Sequence, residues 1–355
     1  MTSRFLSPAC GCGVHRRRVL HGAVGAACLP LAAHAAEAGL SPELIDVHHH
    51  VIPPFWFEEV KEHIAAQGGG RIVPNWYGWT PERALREMDQ NGVRKAMVSI
   101  SAPGVWFGDA GRAADLTRRC NAYMAELARS KPDRFGVLAS LPYPDPQRSL
   151  QELAHAYDVL KVDGVGLFTS YGDKWLGDPA FWPVLEALNA RKAVVYVHPV
   201  SPQCCTALMS YVPPFLTEFT QDTNRAILSV IYSGAAARFP DIRFIFSHAG
   251  GTLPMLAGRI TQLAPSVQAL RERTPDGLEP QLRRFFYEVA NSANRGAVGA
   301  LRSVVPSSQV LFGSDFPLVP IPATAGGLAR LGLPAGELAE LAHANAERLF
   351  GWSGA

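Results

Sequence analysis

The sequence predicts a (β/α)8 barrel, and three observations carry that prediction. Eight short apolar runs, at residues 44–48, 95–101, 135–141, 164–170, 193–198, 243–248, 285–291 and 310–314, each close on turn residues. Amphipathic stretches alternate with them at 81–90, 113–128, 149–160, 183–190, 224–238, 254–263, 295–304 and 335–350. Histidine or aspartate stands at the carboxyl end of four runs: His48 to His50, His198, His248 and Asp315. A continuous apolar run of this length reads as a strand buried on both faces, as parallel strands are. Strand–helix alternation repeated eight times gives a barrel, whose chemistry sits at the carboxyl ends of the strands. An open doubly wound sheet is the alternative, but no glycine-rich phosphate fingerprint follows the first run.

The elements follow in order. Pro81, Pro179, Pro183 and Pro254 fall where helices begin, a position that proline tolerates because its missing N–H is not needed there. Two connections exceed what a plain barrel needs. Residues 51–80 carry Trp56, Phe57, Trp76, Tyr77 and Trp79, and residues 201–219 carry Met209, Tyr211, Pro213, Pro214 and Phe215. Long loops at the carboxyl face are expected to roof a site, and aromatic ones suit a flat or apolar ligand.

The barrel is expected over residues 44–352 as a single domain, preceded by a targeting segment. Residues 1–35 hold Arg4, Arg16, Arg17 and Arg18 with no acidic residue, then a mostly apolar stretch and Ala33-His34-Ala35. That is the layout of a cleavable secretory signal, and the paired arginines before Val19-Leu20 resemble a twin-arginine signal, so a periplasmic location is expected. Its removal turns a formal charge of +2 into 29 basic against 31 acidic residues. No broad basic face remains for nucleic acid, and no stretch of the mature chain reads as a membrane span. Three of six cysteines, Cys120, Cys204 and Cys205, lie beyond residue 35, an odd number that gives no disulfide framework.

Side chains alternate along a strand, so His48 and His50 point to one side and His49 away. With His198 and Asp315 they make a set of three imidazoles and one carboxylate. Such a set suits one divalent ion, zinc first and manganese second. Of the eight histidines beyond residue 35, five stand at strand ends, far more clustering than isolated structural histidines would give.

Asp46-Val47-His48-His49-His50, Val197-His198-Pro199, Ser247-His248-Ala249-Gly250-Gly251 and Gly313-Ser314-Asp315-Phe316-Pro317 together resemble the amidohydrolase superfamily. More narrowly they resemble its branch of aminocarboxymuconate-semialdehyde, γ-resorcylate and 5-carboxyvanillate decarboxylases. Trp79-Thr80-Pro81 and Ser101-Ala102-Pro103-Gly104 are most similar to 6-methylsalicylate decarboxylases. The resemblance implies that His48, His50, His198 and Asp315 hold the metal. It implies that His248 is an unligated catalytic histidine and that Arg259 binds a substrate carboxylate across a homodimer. The run at 164–170 has no lysine of the kind that bridges two metals in binuclear relatives, which implies one ion.

The expected activity is non-oxidative decarboxylation of a hydroxylated aromatic carboxylic acid, with His248 or Asp315 delivering the proton. Hydrolysis of a lactone or ester on the same ion is the alternative. A non-catalytic metal-binding barrel is a third reading, against which the intact donor set and His248 stand.

Overall fold

A computed structural model describes residues 43–67, 70–205 and 211–352. The targeting segment expected at residues 1–35 lies outside the described residues. Eight parallel strands form one sheet in sequential order: β1 Leu44–Val51, β2 Val93–Ile100, β3 Phe135–Ser140, β4 Gly164–Phe168, β5 Val194–His198, β6 Arg243–Phe246, β7 Phe286–Glu288 and β8 Val310–Leu311. The ring closes between β1 and the segment that follows β8. Val47 N–H donates to Phe312 O at 3.0 Å, Asp315 N–H to His48 O at 2.8 Å and His50 N–H to Phe316 O at 2.7 Å. This is the (β/α)8 architecture expected from the alternation.

The strands lack polar alternation because both of their faces are buried. Ile45, Val47, Met97, Leu138, Val194, Tyr196, Ile245 and Leu311 fill the barrel interior. The other faces pack against the surrounding helices in a second, larger apolar layer that includes Val98, Val137, Val165, Val195 and Phe246. The helices begin where side chains satisfy their free N–H groups. Thr80 accepts from Arg83 N at 3.1 Å, Asp109 from Arg112 N at 2.9 Å, Asp145 from Arg148 N at 3.0 Å, and Asn294 from Gly296 N and Ala297 N at 3.0 Å.

One segment expected as a loop is partly helical. Within residues 51–80, Pro54–Gln67 is an α-helix that buries Trp56, Val60 and Ile64, a spacing of four that makes one stripe. The three tryptophans of residues 51–80 pack the structure, whereas Tyr77 is exposed. Trp56 is fully buried with its indole N–H donated to Gly104 O at 2.9 Å, and Trp76 and Trp79 are also buried. Ile321–Ala329 is a further helix, outside the eight expected helical stretches. Between β4 and the next helix, Ser170–Tyr171 and Lys174–Trp175 form a small antiparallel hairpin. No helix among the described residues is long and apolar enough to cross a membrane.

Candidate metal centre

The centre is built first by an irregularity in β1. Asp46 is in register with Ala96 of β2 and His49 with Val98, so three steps on β1 oppose two on β2. A slip of this kind re-aims the side chains that follow it. Ile45 and Val47 belong to the interior, yet His48 and His50 beyond the slip also face inward. Their Nε2 atoms lie 3.0 Å apart. His49 turns away as alternation predicts, with Nδ1 3.0 Å from Asp46 Oδ2 and its ring 4.9 Å from that of Phe316.

Asp46 is the brace under this turn. Its Oδ1 accepts from His48 N at 3.1 Å and Ser314 N at 2.9 Å, and its Oδ2 from Ser314 Oγ at 2.5 Å. It thereby ties β1 to the segment that presents Asp315. Gly313 allows the approach: a Cβ there would lie 2.3 Å from Glu288 Oε2 and 2.8 Å from His48 Cβ.

His48, His50, His198 and Asp315 converge, with their four donor atoms within 4.8 Å of one another and all four residues buried. The structure thus assembles the predicted donor set from β1, β5 and the turn after β8. Asp315 Oδ1 lies 3.2 Å from Nε2 of both His48 and His50. It is buried and accepts no aligned hydrogen bond. The outer nitrogens of the imidazoles are already engaged. His48 Nδ1 meets Glu288 Oε1 at 2.9 Å, His50 Nδ1 meets Ser99 Oγ at 3.3 Å, and His198 Nδ1 meets Pro199 O at 2.7 Å. Each Nδ1 carrying its proton outward leaves an Nε2 lone pair pointing inward, the tautomer a metal requires. Three converging lone pairs and an orphaned carboxylate oxygen fit a divalent cation.

Electrostatics set the protonation of the metal-free centre. Burial pulls the His48 imidazole down, but the carboxylates of Asp315 and Glu288 outweigh it and push its pKa up to about 10. Burial favours the neutral Asp315 acid, yet the charge of His48 and the nearby imidazoles of His248 and His50 hold it well below the usual carboxylate range. Burial lowers His50, and burial together with His50 and His48 lowers His198 well below an ordinary imidazole. In the metal-free centre His50 and His198 are therefore neutral and His48 is protonated, so a cation gains the third Nε2 lone pair only by displacing that proton.

Glu288 is the residue that sequence reasoning missed. It ends β7, fully buried, and its Oε1 takes both His48 Nδ1 and the backbone N–H of His248, each at 2.9 Å. The signal was a lone acid inside the apolar run Phe286-Tyr287-Glu288-Val289-Ala290. His48, His248 and Glu288 also lie close enough to be read as a second donor group. Glu288 Oε1 is already occupied by two N–H donors, so the group is a brace for the first centre.

His248 sits in the 3-10 turn His248–Gly250 rather than on β6, with Nε2 3.7 Å from Asp315 Oδ2. His248 and Ala249 both have left-handed backbones, at φ 55° and 56°. The turn is held by Gly251, also left-handed, where a Cβ would stand 2.1 Å from Thr220 O. Strained backbone of this kind persists where the surroundings fix a side chain for use.

The remaining predicted residues lie elsewhere. Arg259 is on the exposed side of the helix Leu253–Leu263, outside the cluster of its own chain. Cys120, Cys204 and Cys205 are free thiols, and none enters a donor group among the described residues.

The amidohydrolase family model matches residues 45–352, and the chain belongs to that family. It is 36% identical over 291 residues to decarboxylase macB of Penicillium terrestre, covering 78% of this chain and 85% of that one. It is 34% identical over 280 residues to the 6-methylsalicylic acid decarboxylase of Penicillium expansum, with the same coverage. The fold superposes with a TM-score of 0.76 on a dihydroxybenzoic acid decarboxylase from Polaromonas sp. JS666, solved with manganese and the inhibitor 2-nitroresorcinol. That pair is 23% identical and covers 88% of this chain and 98% of the other.

Proposed function

We propose that the chain is a metal-dependent, non-oxidative decarboxylase of an aromatic acid with a hydroxyl beside its carboxylate, of the 6-methylsalicylate or γ-resorcylate type. The observation that carries this reading is the closed set of His48, His50, His198 and Asp315 with His248 beside it and outside it. The chain's likeness to decarboxylases over about four fifths of its length supports it.

A divalent ion held by those four residues supplies Lewis acidity toward a phenolate and a carboxylate oxygen. The donors suit zinc, and the manganese in the Polaromonas relative makes manganese the second choice. His248 and the outer oxygen of Asp315 flank the position where a proton must arrive. That proton bonds to the ring carbon bearing the carboxylate and interrupts aromaticity. The C–C bond then breaks, its electron pair returns to the ring, and carbon dioxide leaves with a proton in its place.

Arg259 completes the reading in a homodimer. Met255, Arg259 and Leu263 recur every fourth residue on the exposed side of one helix, and Met255 is 77% exposed. A second copy seated there would bury the apolar pair and bring the Arg259 guanidinium fork to a carboxylate in the other subunit. Mixing Arg259→Ala with His48→Ala protein tests this, because only an arginine acting across subunits restores activity in the mixture. We also propose export through the arginine-rich leader of residues 1–35, tested by cell fractionation of the wild type and of an Arg17→Lys, Arg18→Lys variant.

The activity is tested by following ring absorbance and carbon dioxide with metal-loaded protein and a panel of ortho-hydroxybenzoates, with His48→Ala as control. Release that needs both metal and His48 supports decarboxylation. Silence across the panel with one ion per chain overturns it.

A further inference from the structure

Asp315 presents two differently employed oxygens. Oδ1 faces Nε2 of His48 and His50. Oδ2 points the other way, 2.7 Å from Nδ2 of Asn291 and 3.7 Å from Nε2 of His248. A carboxylate can only accept here, so the amide nitrogen of Asn291 is the donor. Its Nδ2 is also 3.5 Å from His248 Nε2. Asn291 stands three residues past β7, at φ 56°. Asparagine is among the few non-glycine side chains that adopt this left-handed backbone readily. The turn aims a short amide at the Asp315–His248 pair.

We propose that Asn291 is a positioning residue that keeps Asp315 a one-oxygen ligand. By holding Oδ2 it stops the carboxylate from swinging both oxygens onto the cation, and it keeps that oxygen beside His248 for proton transfer. The idea rests on the metal-dependent decarboxylase reading, but its main test does not need catalysis. A carboxylate that grips with both oxygens raises the ion's coordination number and takes Oδ2 away from His248.

The test uses the protein loaded with cobalt(II), whose visible absorption weakens as coordination number rises, compared with Asn291→Asp and Asn291→Gly. Both substitutions keep a left-handed backbone accessible and both delete the donor, one by putting an acid of the same shape opposite Asp315 and the other by removing the side chain. Expected are one cobalt per chain, a weakened and shifted visible band in Asn291→Gly, and a kcat at least tenfold lower in both variants at little change in KM. Wild-type cobalt spectra in both variants would overturn the proposal, as would loss of cobalt binding in both, since Asn291 would then serve assembly of the site. A wild type that binds cobalt but releases no carbon dioxide defeats the functional reading alone, and the spectra still decide the role of Asn291.

Discussion

Glu288 and His48 meet through Oε1 and Nδ1 at 2.9 Å, both fully buried, and the same oxygen holds the backbone N–H of His248. One carboxylate thus sets the tautomer of a ligand and the position of the neighbouring histidine. Partners of this kind change metal affinity by about 10- to 100-fold when removed. Glu288→Gln is expected to weaken metal binding by that order while the circular dichroism stays native, measured by competition with a chromophoric chelator. Unchanged affinity would show that His48 needs no carboxylate behind it.

Gly313 is the space into which Glu288 and His48 fit. Alanine there places a Cβ 2.3 Å from an oxygen that is pinned by Ala290 N at 2.5 Å. The Glu288 carboxylate cannot step aside without leaving His48. Gly313→Ala is expected to lower stability by about 1–3 kcal/mol, the usual cost of overpacking, and to lower metal content with it. Thermal unfolding of the metal-free and loaded forms measures both, and a variant as stable as wild type contradicts the packing described.

Metal binding is expected to depend on pH through His48. In the metal-free protein its pKa is raised to about 10, so at neutral pH the proton must leave before Nε2 can ligate. Acid favours the protonated form and opposes the metal. Affinity therefore rises with pH by about tenfold per unit up to roughly pH 10. Calorimetry in buffers of different ionisation enthalpy is expected to find about one proton released per ion at pH 7. No release would mean that His48 is already neutral.

The proposed role of His248 is a proton path rather than a metal bond. His248→Asn is expected to keep one ion per chain and to lower kcat by about 10²- to 10⁴-fold, the range for loss of a general acid or base. Loss of the metal in this variant would instead make His248 a ligand.

Much of this was legible in the sequence because barrel strands are short, apolar and end in chemistry. His48 and His50 could be paired from alternation alone, although the slip at Asp46 that turns them inward leaves no mark on the pattern. Glu288 is a single acid in an apolar run, and its partner lies 240 residues away. The helix Pro54–Gln67 was obscured by its aromatics, although Trp56, Val60 and Ile64 are helically spaced. Ile321–Ala329 was not anticipated, because Pro322, Gly326 and Gly327 within it are poor helix formers. Arg259 could not be placed by pattern, because its expected role belongs to a surface that one chain does not complete.

The most direct measurement follows the carboxyl carbon itself. Metal-loaded protein is given 6-methylsalicylate labelled with carbon-13 at the carboxylate, and products are read by NMR in heavy water. The account predicts labelled carbon dioxide and bicarbonate, with 3-methylphenol carrying one deuterium at the carbon that lost the carboxylate, and none of this in His48→Ala. Label that stays on the ring across ortho-hydroxybenzoates, while the same protein opens a lactone or cleaves an ester, would contradict it.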